Sequence, residues 1–548
     1  MAHGAQNQAR NRRIARSTAT VMLAFATAKL ISLAQTLIIA QVFGVGSELD
    51  AYVAANRIPE LIVILISGGA LTHAFIPIFS GMLAKGRQAE AWRLSSNLIN
   101  TIFTLALLTS AAVFVLAPWL VRVLVAPGFD APTSQNTIDM MRILLLSTVI
   151  FSVSGIFSGI LNSHQHFLLP ALAPIMFDLG ILFGVLFLLP IFGVQAIAWG
   201  AVIGAALHFG VQLPGLARYK MRWRLELGLG NRQLWRVVWL MLPRIGGLGV
   251  FSLNFLVMNN IASRLGSGSV SALDWGWRLM QIPQTLIGTA MGIVIFPTLA
   301  ALSEMNDLAG KRSAMSGALR FILVCSLPSS VALIVLGRPL ISLLERGAFD
   351  SSASALVYST LSMFTLGLVV HAALEVIARS FYADKDTLTP LFAALAGALV
   401  NFAAALVLSE VELVDAARFG NAVARSLPWL GLPIEIGNVS GLALANSLGV
   451  MVEALALLLV LRRRWHGARE NELASTLMKT LVASLIMATV IVAADALWII
   501  GLPGRGLIMT IARLACESLL GLAAFALAAY ALKMQEVSEL RSMLRRSP

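Results

Sequence analysis

Residues 49–80 read LDAYVAANRIPELIVILISGGALTHAFIPIFS, an apolar segment that carries Asp50, Arg57 and Glu60. The segment is longer than a bilayer requires, because about 20 helical residues cross the hydrocarbon core. Lipid offers the backbone no hydrogen-bond partners, so a spanning segment must be a helix or a strand of a closed barrel. Strict alternation is absent, which favours a helix. Since Pro and Gly interrupt the apolar run, we expect a tilted or broken membrane helix that carries charge.

A second copy of this pattern lies about 220 residues further on. Residues 266–297 read GSGSVSALDWGWRLMQIPQTLIGTAMGIVIFP, and a Pro follows the Asp after nine residues in both copies. Shared order and spacing at several positions indicate an internal repeat. The matching pairs are Asp50-x8-Pro59 with Asp274-x8-Pro283, Ile76-Pro77 with Phe296-Pro297, Phe129-Asp130 with Phe349-Asp350, and Pro170 with Pro390.

The composition of the whole chain agrees with a membrane protein. Of its 548 residues, 58% are hydrophobic and 12% are charged, whereas soluble domains carry about twice that charged fraction. The net charge of +13 would suit nucleic acid, but the charges lie in short loops between apolar runs, as the positive-inside rule describes. We therefore expect an all-α polytopic membrane protein and no nucleic-acid partner.

The apolar runs predict about fourteen transmembrane helices. Six of them separate matching elements of the repeat, and an even number gives both halves the same orientation. Two parallel six-helix lobes around a central cavity, followed by two C-terminal helices, are typical of alternating-access transporters. The predicted spans are 18–43, 50–83, 94–118, 139–161, 169–190, 194–216, 235–260, 271–302, 314–336, 354–381, 388–408, 437–461, 475–500 and 506–532.

The distribution of Lys and Arg predicts the orientation. With a cytoplasmic N-terminus, the inner loops hold about 25 basic residues and the outer loops about seven. Both termini are therefore expected in the cytoplasm. The predicted parts are a cytoplasmic segment 1–17, an N-lobe 18–217, a basic linker 218–234, a C-lobe 235–463, the last two spans 464–532 and a cytoplasmic tail 533–548.

Ionisable groups within spans are costly and often functional. Lys29, Arg57 and Arg278 would give a cationic cavity, and an Arg fork suits phosphate because it donates two parallel hydrogen bonds. The alternative is a set of local ion pairs, since Arg57 and Glu60, and likewise Asp274 and Arg278, share a helix face. The candidate substrate-binding residues are Lys29, Asp50, Arg57, Glu60, Arg244 and Arg278, with Asp274 in support.

Other polar groups in the spans give weaker signals. A carboxylate there could relay protons or bind a cation, but a local polar partner explains such residues more often. The histidines show no metal-ligand spacing and the two cysteines lie in apolar segments, so no metal or cofactor is expected. The weaker candidates are Asp178, His208, Glu375, Glu453, Asp495 and Glu517.

At five segments the chain resembles the MurJ/MviN family, the lipid II flippases of the multidrug/oligosaccharidyl-lipid/polysaccharide exporter superfamily. Fourteen spans with an extra C-terminal pair agree with that family. The segments LERGAFD and ARSFYADKDTLTP together are the more specific part of the resemblance. The five segments are Leu49–Ser80, Leu161–Pro174, Gly266–Pro297, Leu344–Asp350 and Ala378–Pro390.

The resemblance implies a flippase that moves lipid II, with its pyrophosphate and sugars in a cationic cavity and its polyprenyl tail in a groove at the last two spans. It assigns functional charges to Lys29, Asp50, Arg57 and Arg278. The chain departs from the family at Gln35, Val63-Ile64 and Gly68, where arginines and a glutamate are common, and its Asn401 lacks a nearby Asp that would complete a sodium site.

These departures leave the substrate and the coupling open. The alternative is an exporter of another polyprenyl-pyrophosphate-linked glycan, or of drugs, in the same superfamily. Coupling to the membrane potential, to Na+ or to H+ is undecided, and cell-wall synthesis machinery and membrane lipids are the further partners to consider. An enzyme is disfavoured, because the chain has no Asp-Asp-x-x-Asp pattern, no nucleotide-binding Gly-rich loop and no large soluble domain.

Overall fold

The computed structural model describes residues 31–32, 34–66, 69–228, 230–409, 439–465, 467, 469–501 and 506–534. Within these ranges every regular element is a helix. The predicted cytoplasmic N-terminal segment, most of the first span with Lys29, and most of the C-terminal tail lie outside them. The described residues form two compact units, up to Ser263 and from Arg264 onwards.

The first unit is built around one long helix, α5, which packs against α2, α3, α4 and α8. The π-helical turn Leu120–Val125 ends the helical stretch that begins with α4, and a second one, Gly184–Leu188, joins α6 to α7. Its helices are α1 (Ala34–Phe43), α2 (Ser47–Ile66), α3 (Gly69–Ala84), α4 (Gln88–Trp119), α5 (Ala131–Ser163), α6 (Leu168–Phe183), α7 (Leu189–Phe192), α8 (Ala196–Gly210), α9 (Leu213–Arg218) and α10 (Arg232–Ala262).

Glycines let α6 and α8 approach each other closely. A Cβ atom on Gly180 would lie 2.2 Å from the Cα atom of Gly204, and one on Gly184 would lie 2.5 Å from the Cα atom of Gly200. Small residues at such crossings are typical of membrane helices, whose association depends on backbone approach and van der Waals packing.

In the second unit, α13 packs against α12, α14, α15 and the C-terminal pair. The last two helices, which have no counterpart in the repeat, pack on each other and on α13. The helices of this unit are α11 (Ser269–Gln284), α12 (Ala290–Glu304), α13 (Leu308–Ser342), α14 (Ser351–Leu366), α15 (Leu368–Ala383), α16 (Leu388–Leu408), α17 (Val439–Trp465), α18 (Glu470–Gly501) and α19 (Leu507–Ala531).

Helix boundaries recur 220 residues apart, in agreement with the predicted repeat. Asp130 caps α5 by accepting the Thr133 N–H at 3.1 Å, and Asp350 caps α14 by accepting the Ala353 N–H at 2.8 Å. Side-chain caps of this kind satisfy backbone donors that the first helical turn leaves free. Four other helix boundaries also lie 220 residues apart: the ends of α3 and α12, the starts of α4 and α13, the ends of α5 and α15, and the starts of α6 and α16.

One helix of the repeat differs between the halves. Helix α5 runs unbroken, whereas its counterpart bends by 43° at Gly367 between α14 and α15. Two hydroxyl groups satisfy carbonyl groups beside the bend: Ser447 Oγ donates to Met363 O at 2.8 Å, and Ser330 Oγ donates to Thr365 O at 2.7 Å. Kinked membrane helices are tolerated when neighbouring side chains satisfy the backbone in this manner.

The described residues contain nine helices long and apolar enough to span a membrane, or ten if the bent pair is one span. Shorter apolar helices lie at predicted spans 1, 2 and 7, and predicted spans 5 and 6 form the continuous helical stretch Leu168–Arg218. The fourteen predicted spans are consistent with this arrangement. The long predicted span 271–302 contains the π-helical turn Thr285–Thr289, whereas residues 67–68 of the long predicted span 50–83 lie outside the described residues.

The predicted lobe boundary and the compact units follow different criteria. The boundary at the linker 218–234 follows the repeat, whereas the first unit extends through α10, because α10 packs on α2 and α3. The domain assignment from the sequence therefore stays a prediction about the repeat.

Candidate functional site

Helix α2 carries three of the predicted site residues. Asp50 is 1% exposed and lies in the first turn, where the helix dipole favours a negative charge. Arg57 Nη1 lies 3.9 Å from Glu60 Oε2, with side-chain exposures of 13% and 49%. A pair this long and this exposed on one side contributes little energy, so Glu60 neutralises Arg57 only weakly.

A residue that the sequence analysis missed contacts Arg57. Asn259, on α10, is 1% exposed. Its Oδ1 accepts the Arg57 Nε–H at 3.4 Å, and its Nδ2 donates to Val125 O at 3.0 Å. The Arg57 guanidinium also lies over the Phe255 ring, 5.8 Å from its centroid. An Asn-Asn pair inside an apolar span was the available signal, but amides attract less notice than charges.

In the second unit, Arg278 has a different partner. Its Nε lies 2.5 Å from Asp274 Oδ2, and the side chains are 60% and 9% exposed. The predicted i, i+4 pair is therefore formed. The neighbouring Trp277 packs edge-on against Phe364 and His371, with ring centroids 5.4 Å and 5.3 Å apart. A fixed aromatic next to a largely exposed guanidinium leaves Arg278 anchored through Asp274 and accessible at its tip.

Two predicted site residues cannot be placed. Lys29 lies outside the described residues, and α10 contains Arg244, whose side chain is not among those described. Gln35, which stands where the family commonly has an arginine, is 9% exposed. Asp50, Arg57 and Glu60 belong to the first unit and Asp274 and Arg278 to the second.

A polar cluster beside the π-helical turn of the second unit contains Glu375, one of the weaker candidates. Glu375 Oε2 lies 2.5 Å from Arg379 Nη1, and both side chains belong to α15. Gln284 and Thr289 contact Glu375 Oε1 at 3.5 Å and 3.4 Å. The pair is neutral and locally satisfied, as a structural role requires.

The C-terminal helices hold a second ionic cluster. Arg513 on α19 contacts Asp495 of α18 and lies 2.9 Å from Glu517 Oε1. Glu517 is 1% exposed. One guanidinium thus holds two carboxylates, which explains why these weaker candidates are tolerated within apolar helices.

Among the described residues, no group of three or more His, Cys, Asp or Glu side chains could hold a metal ion. What the arrangement offers instead is two arginines within apolar helices, each oriented by a neighbour. Guanidinium groups recognise phosphate through paired, charge-assisted hydrogen bonds. Each of these arginines, within its own unit, could bind an anionic group, and their role in substrate binding stays a prediction.

Repeated apolar helices, with oriented arginines inside the spans, define a multi-pass membrane transporter. Solved structures agree on this fold. The chain is similar to one titled "Lipid II flippase MurJ, inward closed conformation", with a TM-score of 0.75 and 24% identity over 93% of this chain and 99% of that one. It is also similar to an inward-facing multidrug resistance MATE family transporter, with a TM-score of 0.64 and 15% identity over 81% and 96% of the two chains.

Sequence relatives identify the family. A family model described as "Lipid II flippase MurJ" matches residues 39–505. The "Lipid II flippase MurJ" of Burkholderia cenocepacia is 30% identical over 80% of this chain and 81% of its own length. The "Probable lipid II flippase MurJ" of Rhizobium tropici is 28% identical over 94% of both chains.

The chain belongs to the lipid II flippase MurJ family. The prediction of a polytopic helical membrane transporter is confirmed, and so is the expectation that the protein is not an enzyme. The chain is a multi-pass protein of the inner membrane.

Proposed function

We propose that this chain moves lipid II, the lipid-linked peptidoglycan precursor, from the inner to the outer leaflet of the cytoplasmic membrane by alternating access. The match to the MurJ family over residues 39–505 is the observation that carries the proposal. The relative from Burkholderia cenocepacia, whose name specifies lipid II flipping, is aligned over four fifths of both chains.

We assign substrate binding to the charged residues of the spans. Arg57 and Arg278 supply guanidinium groups that suit a pyrophosphate, because its oxygens accept paired hydrogen bonds. Asp50 and Asp274 are nearly buried carboxylates on the same helices as these arginines. The family resemblance adds Lys29 to this set, and Glu60 and Arg244 complete the proposed site. The predicted central cavity stays a prediction.

We further propose that both termini lie in the cytoplasm, because basic residues concentrate in the loops on that side. The energy source is the membrane potential, Na+ or H+, and Asp50 is the carboxylate whose titration we would examine first. Cell-wall synthesis machinery is the proposed protein partner, since it consumes lipid II at the outer leaflet.

The test is complementation. The chain is expressed in bacteria depleted of their own lipid II flippase, and the lipid II that a cleaving agent reaches from outside the inner membrane is measured. We expect accessibility to be restored. If the folded, inserted protein restores none, lipid II is the wrong substrate.

That second outcome would favour another polyprenyl-pyrophosphate-linked glycan. The observation behind this alternative is the uncharged character of Gln35, Val63 and Ile64, where the family commonly has arginines. A smaller cationic charge suits a substrate with fewer or differently placed anionic groups. A drug exporter is less favoured, because the MATE similarity reaches only 15% identity and supports the fold alone.

A further inference from the structure

Glu453 is an ionisable residue near the middle of α17, a helix long and apolar enough to span a membrane. It is the fifteenth of the 27 residues of this helix, so about 20 Å of helix separates it from either end. A glutamate side chain is too short to reach the membrane surface from that depth. Glu453 was one of the weaker candidates from the sequence, and its surroundings distinguish it from the others.

Helix α16 presents its backbone to Glu453. A Cβ atom on Gly397 would lie 2.8 Å from Gly449 O and 3.0 Å from the Cβ atom of Glu453, so α16 and α17 cross at glycines beside the glutamate. Within a helix the N–H groups are used in the helix's own hydrogen bonds, whereas a carbonyl oxygen keeps a second lone pair. This surface can therefore accept a hydrogen bond from a protonated carboxyl group but cannot donate one to a carboxylate.

The neighbouring helices give Glu453 no counter-charge. Helix α17 packs against α11, α14, α15 and α16, and α16 contains no ionisable residue. Among the residues that the structure describes, no hydrogen bond or ion pair reaches the partly buried Glu453 carboxyl group. The other ionisable groups of these helices are Asp274 with Arg278, Glu375 with Arg379, His371 with Asn446, Tyr358 with Ile334 O, the exposed Tyr382, and Arg462–Arg464 in the last turn of α17.

We propose that Glu453 binds the proton that couples transport to an H+ gradient. An ionised carboxylate at this depth is costly, so the group holds its proton while the packed helices exclude water and releases it when alternating access admits water beside the glycine crossing. The inference rests on the proposed function for the transport step, and it selects H+ among the energy sources. Binding of the proton does not depend on which lipid is carried.

An apolar carbodiimide tests for the proton. Dicyclohexylcarbodiimide takes the proton of a carboxylic acid on one nitrogen while the carboxylate oxygen bonds to its central carbon, and the product rearranges to a stable N-acylurea that keeps every atom of both reactants. The purified full-length protein is labelled in detergent micelles, and peptide mass spectrometry locates the adducts. We expect labelling of Glu453 that slows as the pH rises from about 6 to about 8, since only the protonated form reacts.

Glu375 is the matched control. It also lies in an apolar helix of the second unit, but its Oε2 atom lies 2.5 Å from Arg379 Nη1, and an adjacent cation favours the ionised form. We expect the adduct at Glu453 to exceed that at Glu375 by at least about tenfold. Equal labelling of the two residues, or no labelling of Glu453, would overturn the inference. Slower labelling in Na+ at constant pH and ionic strength would also overturn it, because the site would then bind Na+.

Glu453→Gln separates coupling from stability. The amide is neutral and close in size to the protonated acid, so the variant should melt like the wild type in detergent. Its rate of lipid II flipping should no longer change with the external pH, whereas the wild-type rate should. The same pH dependence in both proteins would overturn the coupling role. If the variant does not fold, labelling of the wild type decides the inference. Labelled Glu453 in a protein that flips no lipid II would count against lipid II as the substrate and leave the proton site standing.

Discussion

The two halves of the molecule have matching helix boundaries and turns, but they differ in their side-chain contacts. The loop after α5 and the loop after α15 lie 220 residues apart, and each has one residue at positive φ, Gln165 at 58° and Lys385 at 61°. In the first half, His164 stacks on Trp92, with ring centroids 5.7 Å apart. In the second half, the residue at the matching position is Asp384, which pairs with Lys311.

The arginines of the proposed site follow the same division. Arg57 contacts an amide, an aromatic ring and, at 3.9 Å, the carboxylate of Glu60, whereas Arg278 pairs with the Asp274 carboxylate at 2.5 Å. The repeated backbone therefore determines where helices start, end and turn, whereas the side-chain contacts differ between the halves. The closer ion pair, that of Asp274 and Arg278 in the second half, should respond more to the loss of one partner.

The largest expected effect is at Arg278. Replacing it with alanine should abolish transport while membrane insertion stays intact, because the guanidinium is 60% exposed and its loss removes a proposed diphosphate ligand. The measurement is lipid II accessibility in cells depleted of their own flippase. Arg346→Ala, on a predicted outer loop, is the control and should transport normally. Flipping at the wild-type rate by Arg278→Ala would rule out the cationic mechanism.

Replacing the Asp50 carboxylate should reduce transport more than replacing the Asp495 carboxylate. Asp50→Asn changes a residue that is 1% exposed on the helix of Arg57, and we expect transport to fall on the order of tenfold. Asp495→Asn leaves Arg513 its contact with Glu517 at 2.9 Å, in helices without a counterpart in the repeat, so a smaller loss is expected. The same assay measures both variants, and equal losses would contradict this ranking.

The stability of the protein should be sensitive to the loss of the buried ion pair between Asp384, in the loop after α15, and Lys311. Asp384 Oδ1 lies 2.6 Å from Lys311 Nζ, with side-chain exposures of 22% and 11%. Asp384→Asn should therefore destabilise the protein by about 1–3 kcal/mol, since it leaves a mostly buried ammonium group poorly satisfied. Thermal unfolding in detergent measures this.

The neighbouring pair of Lys385 and Glu304 is the matched control. Its atoms lie 2.7 Å apart, but the side chains are 80% and 68% exposed. Glu304→Gln should leave the melting temperature unchanged, because exposed ion pairs contribute little. If both variants melt alike, burial does not decide how much each of the two ion pairs contributes to stability.

Much of this architecture follows from the sequence. Apolar length predicts the spans, and the match of Phe129-Asp130 with Phe349-Asp350 marks two equivalent helix caps, because capping depends on a local residue type. Local spacing also predicts the pair of Asp274 and Arg278. By contrast, the contact of Arg57 with Asn259 joins residues 202 apart in the chain, and no local pattern specifies it.

The helix break at Gly367 was likewise not predicted, although its glycine was visible. A glycine permits close approach but does not by itself require a bend. What supports the bend is tertiary: the hydroxyl groups of Ser447 and Ser330 satisfy the carbonyl groups that it frees. Such contacts depend on which helices are neighbours, and this is the information that a single sequence lacks.

The smallest expected effect is the difference between the losses of stability caused by removing the two helix caps, Asp350 and Asp130. Asp350 accepts the Ala353 N–H at 2.8 Å and the Ser352 hydroxyl at 2.7 Å, whereas Asp130 accepts the Thr133 N–H at 3.1 Å. The Ala353 N–H, and then the Ser352 hydroxyl, hold the pKa of Asp350 below its ordinary value of 3.8. Asp350→Ala should therefore lower the melting temperature at pH 7 slightly more than Asp130→Ala.

The pH dependence of that effect has a definite sign. A carboxyl group whose folded-state pKa is depressed contributes stability above its unfolded pKa and loses that contribution as the pH falls through the folded value. The difference in melting temperature between wild type and Asp350→Ala should thus be constant from pH 7 to about pH 5 and narrow below about pH 4. Asp350→Asn, which caps without titrating, should differ from Asp350→Ala by the same amount at every pH. If the difference in melting temperature between wild type and Asp350→Ala does not narrow in acid, the ionised carboxylate adds no stability beyond that of a neutral cap.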